Sequence, residues 1–378
     1  MSNDNRENKT SLTKIDDAQE ILRHHLECLW ADPAKAVDLP PIMMWGPPGI
    51  GKSTIIRELT EELDIGFIDV RLAQREPVDI RGLPVPREDR QGVDWIIASE
   101  WPREGQEDFK PRGIILFDEI TAADPSLQVA AYELILDRRL GTLYDVPDGW
   151  YIVAAGNRTK DGAVARAMSS ALANRFCHLE LTEDHKNWVE WGWKNGIHPS
   201  VLAFIRFRPD LLLNMTGNRE RGWPSPRTWA RVSLEMQLAE TTGLSNRALS
   251  HIIEGLVGVG AAIEFQGFLN WSEKLPDIEG ILRGDEKVSI PDRSDQRYAL
   301  ISALVTHILE EPDIGVITNG IFDVLLAFTN DWCQVAYHDI QLTLTSRGRL
   351  SDLELLSEHP QHEVLEEKIL GAIPESEA

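Results

Sequence analysis

The sequence has few cysteines, few basic residues and no long apolar run. Its cysteines, Cys28, Cys177 and Cys333, are far apart and form no CxxC or Cys/His pattern, so neither a disulfide framework nor a zinc site is predicted. No apolar run approaches the ~18 residues of a membrane span. Residues 1–10 are polar and lack the apolar core of a secretory signal. We therefore expect a cytoplasmic protein without a membrane partner and with a disordered start over residues 1–10.

The deficit of basic residues bears on the class of partner. The chain has 38 Lys and Arg against 61 Asp and Glu, which gives a net charge of −23. A broad basic face for duplex DNA is not expected on such a chain, although local basic loops remain compatible with the composition. The 378 residues, 42% of them hydrophobic, are enough for two or three domains with a sizeable core.

One motif dominates what is present. The apolar segment 42–45 leads into a glycine-rich turn, and a helix-forming segment follows. The turn is Gly46-Pro47-Pro48-Gly49-Ile50-Gly51-Lys52-Ser53-Thr54. It contains the complete pattern G-x-x-x-x-G-K-[ST], in which backbone N–H groups surround phosphate oxygens, the lysine reaches the β- and γ-phosphates, and the serine hydroxyl binds Mg²⁺. The sequence therefore predicts a site for ATP and Mg²⁺.

A second motif follows a buried strand. Four large apolar residues precede Asp118 and Glu119, as in a strand of a parallel sheet that is buried on both faces. Carboxylates at the carboxyl end of such a strand lie where α/β sheets bind ligands. We expect Asp118 to bind Mg²⁺ and Glu119 to polarise the attacking water. The alternative is a strand end with two exposed acids.

Further candidates come from single polar residues. Asn157 ends the next strand and can orient water, or it can be a turn asparagine with left-handed geometry. Arg175 can act as an arginine finger on a neighbouring subunit, or pair with a carboxylate; Arg158 and Arg166 are rival fingers. Arg227 begins a later helix and is a candidate for contact with the γ-phosphate.

Two irregular segments interrupt the α/β pattern. Residues 76–111 are rich in proline and too long for an ordinary connection, so they predict an insertion with a β-hairpin. Its Trp95, Trp101 and Phe109 suit a protein-binding surface. A second hairpin is expected over residues 140–148.

Together these residues resemble the AAA+ ATPases of the MoxR group. The matching elements are residues 46–53 as Walker A, 114–119 as Walker B, 156–157 as sensor 1, 173–176 as the arginine-finger segment and 225–227 as sensor 2. The insertion before Walker B is similar to the helix-2 insert of that clade, and residues 140–148 to its pre-sensor-1 hairpin. The Gly-Asn-Arg-Thr after the sensor strand departs from the family's usual Gln-Asn-Pro.

The resemblance implies an α/β fold with a AAA+ P-loop NTPase core. We expect a parallel sheet in this core over residues 11–181, with the insert at about 76–111, and an all-α lid over residues 182–272. The resemblance covers about residues 10–270, and beyond it we expect a C-terminal helical extension over residues 273–378.

The resemblance also implies a function. Such proteins form homo-oligomeric, often hexameric rings that hydrolyse ATP and remodel a protein partner, often one containing a von Willebrand factor A domain. Two alternatives stay open: a nucleic-acid motor or loader, and an ATP-dependent switch or scaffold.

Overall fold

The computed structural model describes residues 12–158, 161, 166, 168, 173–215, 221–272 and 277–371. It divides the chain into two units, Met1–Asp184 and His185–Ala378. The start predicted to be disordered, residues 1–10, lies outside the described residues. So does the chain after residue 371.

A six-stranded parallel sheet forms the centre of the first unit, in the order β1-β10-β2-β9-β6-β3. Its strands are β1 Leu12–Thr13, β2 Ile42–Trp45, β3 Gly66–Arg71, β6 Gly113–Asp118, β9 Trp150–Gly156 and β10 Cys177–Leu181. All of β9 and the first five residues of β6 are buried, as expected for apolar runs in the middle of a parallel sheet. The predicted α/β fold with a parallel sheet is confirmed.

Helices accompany this sheet. They are α1 Ile15–Ala31, α2 Lys52–Glu62, α3 Pro77–Arg81 and α4 Pro125–Asp137. In α1 the buried residues recur every three or four positions, at Ala18, Leu22, Leu26 and Leu29, so one stripe of the helix faces the core. Pro125 occupies the first turn of α4, where its missing N–H costs no hydrogen bond.

The strand register shows which residues lie at the carboxyl edge of the sheet and which lie at the amino edge. Trp45 pairs with Gly156 at the ends of β2 and β9, and Phe117 pairs with Ala154 one strand further. The segments that follow these strands therefore leave from the same carboxyl edge. At the other edge, β10 begins beside Ile42, the first residue of β2.

The insertion contains the predicted hairpin. Strands β4 Leu83–Pro86 and β5 Val93–Ile96 pair antiparallel. Four of their apolar side chains are between 43% and 59% exposed: Leu83, Val93, Trp95 and Ile96. The hairpin expected over 140–148 is also present, as β7 Arg139–Leu140 paired with β8 Tyr144–Asp145.

Trp101 was predicted to belong to the partner-binding surface, and this is wrong. Its side chain is 0% exposed and lies against Phe117 and Tyr144, with ring centroids 6.2 and 6.5 Å away. The hydroxyl of Tyr144 donates a hydrogen bond to the carbonyl of Pro102, 3.1 Å away. The chain thus returns from the exposed hairpin into the core, because a large aromatic ring gains most from burial there.

The second unit is helical over the residues described in it. Its helices are α5 His185–Lys194, α6 Pro199–Phe207, α7 Pro226–Thr242, α8 Asn246–Ser272, α9 Ile278–Arg283, α10 Ser294–Glu310, α11 Thr318–Ala327, α12 Asn330–Ser346, α13 Leu350–Ser357 and α14 His362–Leu370. One hydrophobic core joins them: Phe204, Trp229 and Phe265 belong to the same cluster as Leu304 and Phe322. The segments predicted as lid and as extension therefore share a core.

Helix α8 is long and apolar enough, over Asn246–Asn270, to pass a composition test for a membrane span, with a mean hydropathy of 1.5. Two features match a core helix instead. Ile253, Val257 and Phe265 are buried in the core of this unit. In addition, Gly258 has φ 80° and ψ 160°, so the helix is broken near its middle.

The two tryptophans of the insertion give a matched test of its anchoring. We expect Trp101→Ala to lower the free energy of unfolding by about 3–5 kcal/mol, because it empties a fully buried aromatic site. Trp95→Ala, at an exposed position, is expected to change it by less than ~0.5 kcal/mol. Urea unfolding of the two purified variants measures both values, and equal losses would contradict the burial of Trp101.

Candidate functional site

Residues 46–51 connect β2 to α2 at the carboxyl edge of the sheet, and residues 52–54 of the motif form the start of α2. Gly49 and Gly51 have φ values of 85° and 114°, a region that residues with a Cβ rarely adopt. Since α2 begins at Lys52, directly after these glycines, the free N–H groups of its first turn and the positive end of its dipole face the loop. This backbone suits an anion such as a phosphate.

Lys52 is only 8% exposed and is held above the loop. Its Nζ donates hydrogen bonds to the carbonyls of Gly46 (2.7 Å) and Pro47 (3.1 Å) and to Oδ1 of Asn157 (2.9 Å). Asn157 is 105 residues away in sequence but ends the adjacent strand β9. The structure therefore brings two of the predicted site residues into direct contact.

Ser53 and Asp118 also meet at this edge. The Ser53 hydroxyl donates to Oδ2 of Asp118 at 2.8 Å, and the other oxygen of Asp118 accepts the backbone N–H of Glu119 at 2.8 Å. A hydroxyl facing a carboxylate suits Mg²⁺, which commonly takes one or two protein oxygens and completes its shell with phosphate oxygens and water. No group of three or more His, Cys, Asp or Glu side chains able to hold a metal occurs in the searched, described part of the chain.

Glu119 has an unusual backbone. Its φ of 56° is left-handed, which costs a residue with a Cβ of the order of 1–3 kcal/mol and is concentrated at functional sites. The backbone carbonyl of Glu119 accepts the N–H of Ala122 at 2.9 Å, which closes a tight turn after β6. The side chain is exposed, so its carboxylate is accessible to water at the same edge as Lys52.

Asn157 is positioned by a residue that the sequence analysis missed. Its backbone N–H donates to the Thr121 hydroxyl at 3.1 Å, and that hydroxyl lies 3.2 Å from the Asn157 carbonyl, to which it donates. Thr121 is 2% exposed. A Cβ on Gly156 would lie 2.7 Å from Thr121 Cγ2, so glycine is needed for this approach. Asn157 is not among the described residues with positive φ, which contradicts the turn-asparagine alternative.

The three candidate fingers differ in their partners. Arg158 is tied to Asp161 (2.9 Å) and Glu180 (3.3 Å); burial alone would lower the pKa of Arg158, but these carboxylates raise it. Arg166 pairs with Asp124 at 2.5 Å. Arg175 is exposed and, among the described residues, makes no side-chain hydrogen bond or ion pair. It lies two residues before β10, at the amino edge of the sheet, whereas the glycine-rich loop between β2 and α2 lies at the carboxyl edge.

Arg227 lies in the second unit, in the first turn of α7. Ser225 caps this helix: its hydroxyl accepts the N–H of Thr228 at 3.2 Å, and the Thr228 hydroxyl accepts the N–H of Ser225 at 2.8 Å. This reciprocal cap fixes where the helix starts and leaves the side chain of Arg227 exposed.

The sequence profile of a known domain matches this region. The profile is that of the AAA domain (dynein-related subfamily), and it matches residues 41–176. The chain carries an AAA domain. The matched range runs from the start of β2 to the arginine-finger segment, so it contains every predicted site residue of the first unit. The matched range covers a little over a third of the chain. The match does not show that the chain belongs to the MoxR group.

Among curated proteins, the chain is similar to midasin of Giardia intestinalis. The two are 23% identical over 177 residues, and the match covers 44% of this chain but only 4% of midasin. This likeness therefore concerns a small part of a much longer protein.

The solved structures to which the chain shows some similarity include a putative ATPase of Cytophaga hutchinsonii (TM-score 0.32, 12% identity, 64% of this chain and 88% of that one). A RuvB variant of Thermotoga maritima has a TM-score of 0.36 and 16% identity, with 78% of this chain and 84% of that one covered. The AAA domain of FIGL-1 in complex with ADP has a TM-score of 0.37 and 15% identity, over 73% and 93% of the two chains.

Proposed function

We propose that this protein is a Mg²⁺-dependent ATPase that assembles into a ring, hexameric in the MoxR-like case, and remodels a protein partner. The observation that carries the proposal is the convergence of Lys52, Ser53, Asp118, Glu119 and Asn157 at the carboxyl edge of one parallel sheet. Ligands of α/β sheets bind at this edge. The residues present supply each role that phosphoryl transfer to water requires.

The loop and Lys52 bind the β- and γ-phosphates of ATP. In the described structure Lys52 Nζ is bonded to neutral carbonyl and amide oxygens, which a phosphate oxygen can replace with a stronger, charge-assisted partner. Ser53 and Asp118 hold Mg²⁺, which neutralises charge on the phosphates when bound. Asn157 stays beside the γ-phosphate because Thr121 fixes its backbone.

Glu119 acts as the general base. Its backbone is left-handed, and its side chain is exposed, so the carboxylate is accessible to water. A carboxylate here polarises the water that attacks the γ-phosphate, while the neighbouring Asp118 serves the metal. Two adjacent acids therefore have different tasks.

Arg175 acts on the ATP of a neighbouring subunit. Strand β10 has five residues, or about 16 Å at 3.3 Å per residue, and Arg175 precedes it while the phosphate loop follows the opposite end of the parallel strand β2. An arginine that precedes the sheet is thus poorly placed to reach its own site. It is exposed and unpaired in the described structure, whereas both rivals are paired, which supports it as the finger.

For the second unit we propose that Arg227 senses the γ-phosphate. Its exposed position in the first turn of a well-capped helix supports this role. The helices between residues 182 and 272 then act as the lid. The extension predicted over residues 273–378 packs on the same core over its described residues, 277–371.

For the partner we propose a protein, with a von Willebrand factor A domain protein as a candidate from the MoxR resemblance. The exposed apolar hairpin β4–β5 supports a protein partner, since Leu83, Val93, Trp95 and Ile96 offer an apolar surface and no basic clamp. The net charge of −23 opposes contact with many phosphates of a nucleic acid.

The first prediction of this proposal separates binding from hydrolysis. Lys52→Ala should abolish ATP binding because it removes the cation of the loop. Glu119→Gln should bind ATP and lose hydrolysis by a factor of about 10²–10⁴, because only the general base is changed. Equilibrium binding of a fluorescent ATP analogue and steady-state phosphate release measure the two effects. Unchanged hydrolysis in Glu119→Gln would remove this residue from the mechanism.

The second prediction concerns shared sites. Arg175→Ala and Lys52→Ala should each be inactive, since a finger contributes ~10³–10⁵ in rate in related systems. Mixed in one ring, they should recover part of the hydrolysis, because some interfaces join an intact loop to an intact arginine. Phosphate release is measured for each variant and for the mixture, after co-assembly is verified by differential tagging.

Arg158→Ala is the matched control for this mixing experiment. Its guanidinium neutralises the buried Asp161 within the same chain, so we expect Arg158→Ala to lower thermal stability and Arg175→Ala to leave it unchanged. A verified mixed ring without recovered hydrolysis would exclude the arrangement in trans.

The third prediction concerns the class of partner. Single-stranded DNA, duplex DNA and RNA, each titrated at low salt, should leave the rate of ATP hydrolysis unchanged. Electrostatic contact with phosphates would be strongest under these conditions. Stimulation of several-fold that disappears at high salt would favour the nucleic-acid motor instead.

A further inference from the structure

A cavity of about 460 Å³ lies in the helical unit, and none of its lining residues belongs to the proposed ATPase site. Helices α5, α6, α10, α12 and α14 contribute its walls. Two of these helices belong to the predicted lid segment and three to the predicted extension. Its volume is in the range of pockets that hold small molecules.

The most buried charge at this cavity is Arg206. Its guanidinium forms an ion pair with Asp339, whose side chain is almost fully enclosed, through Nη1. The other guanidinium nitrogens have no hydrogen-bond partner among the described residues. Arg206 has 16% of its side chain exposed, and since a guanidinium carries N–H donors on every side, one with a single carboxylate contact has donors left for another acceptor.

The surrounding walls are also rich in donors and cations. His185, Lys186 and His338 line the cavity, and Glu190 is the carboxylate among its described lining residues. This excess of basic groups is local, because the chain as a whole has a net charge of −23. Tyr298 adds a flat aromatic wall that is held by an edge-on contact with Trp332, 4.7 Å between ring centroids.

We propose that this cavity binds a small oxyanion-bearing molecule, a carboxylate or a phosphate, with Arg206 as its main anchor. The planar fork of arginine matches the two oxygens of a carboxylate or phosphate. Lys186 and His338 flank the anion, and Tyr298 contacts the body of the molecule. The extension then has a binding role, since His338 and Tyr298 come from it.

The alternative is that Arg206 serves only to stabilise the fold, and it predicts that no anion binds. If the arginine only neutralises Asp339, the cavity holds water and no anion binds with saturation. Simple removal of Arg206 cannot separate the two, because it leaves a buried carboxylate without a counterion and destabilises the fold. The test therefore needs variants that keep the pair neutral or leave it intact.

The experiment uses the full chain in the Lys52→Ala background, so that the phosphate loop does not dominate anion binding. Inorganic phosphate and succinate are titrated separately against chloride at constant ionic strength, by calorimetry and by thermal unfolding. We expect saturable binding of at least one anion, with a rise in the unfolding temperature that follows mass action. Phosphate alone identifies a phosphate ligand, succinate alone a carboxylate ligand, and both an oxyanion site in general.

Variants assign the binding to this cavity. Lys186→Gln and His338→Gln, both at exposed positions, should each weaken it by about tenfold, and the double change Arg206→Gln with Asp339→Asn should abolish it while keeping a neutral pair. Lys194→Gln on the same helix α5, whose side chain does not line the cavity, should bind as the parent does. No saturation by either anion up to tens of millimolar, or equal binding in the double variant, would overturn the proposal.

Discussion

The parallel pairing of β9 with its two neighbours, β2 and β6, is the constraint on which the rest of the first unit depends. Parallel strands place all their carboxyl ends at one edge, so side chains more than 60 residues apart in sequence arrive there together. The contacts of Lys52 with Asn157 and of Ser53 with Asp118 follow from this register. A register shift of one residue would turn these side chains to the other face of the sheet.

The same sheet separates Arg175 from the other residues of the proposed site. The loop, the acids and Asn157 occupy the carboxyl edge, and Arg175 occupies the amino edge. One subunit thus holds all the parts of the site but holds them on opposite sides. In the proposed ring, a complete set forms at each interface between subunits, and this gives a physical reason for nucleotide state and assembly to depend on each other.

Much of this arrangement was predictable because it rests on short-range patterns. The glycine spacing around Lys52 is typical of a phosphate-binding loop. An apolar run that ends in Asp118-Glu119 indicates a buried strand with its site residues at the carboxyl end. Thr121 carried no such signal, since a buried threonine after a strand is ordinary until the fold puts it beside Asn157. Trp101 was misjudged because composition does not tell an exposed aromatic from a buried one in an irregular segment.

The pairing of Arg158 and the shared core of the helical unit were also beyond local patterns. Asp161 is near Arg158 in sequence. Glu180 joins the pair only because β9, which Arg158 follows, and β10, which contains Glu180, both lie beside β2. The core that unites Phe204 with Phe322 depends on contacts between segments separated by more than a hundred residues. Periodicity finds helices, but it does not say which helices pack together.

The left-handed backbone at Glu119 has a consequence for the way this sequence can change. Glycine adopts such a φ without the penalty that a Cβ brings, so the substitution that relaxes this turn also deletes the carboxylate. Folding and chemistry therefore favour different residues at the same position. Selection for thermal stability alone would favour glycine at this position and remove the proposed base. Retention of glutamate there therefore distinguishes related proteins that still hydrolyse ATP from those that only fold.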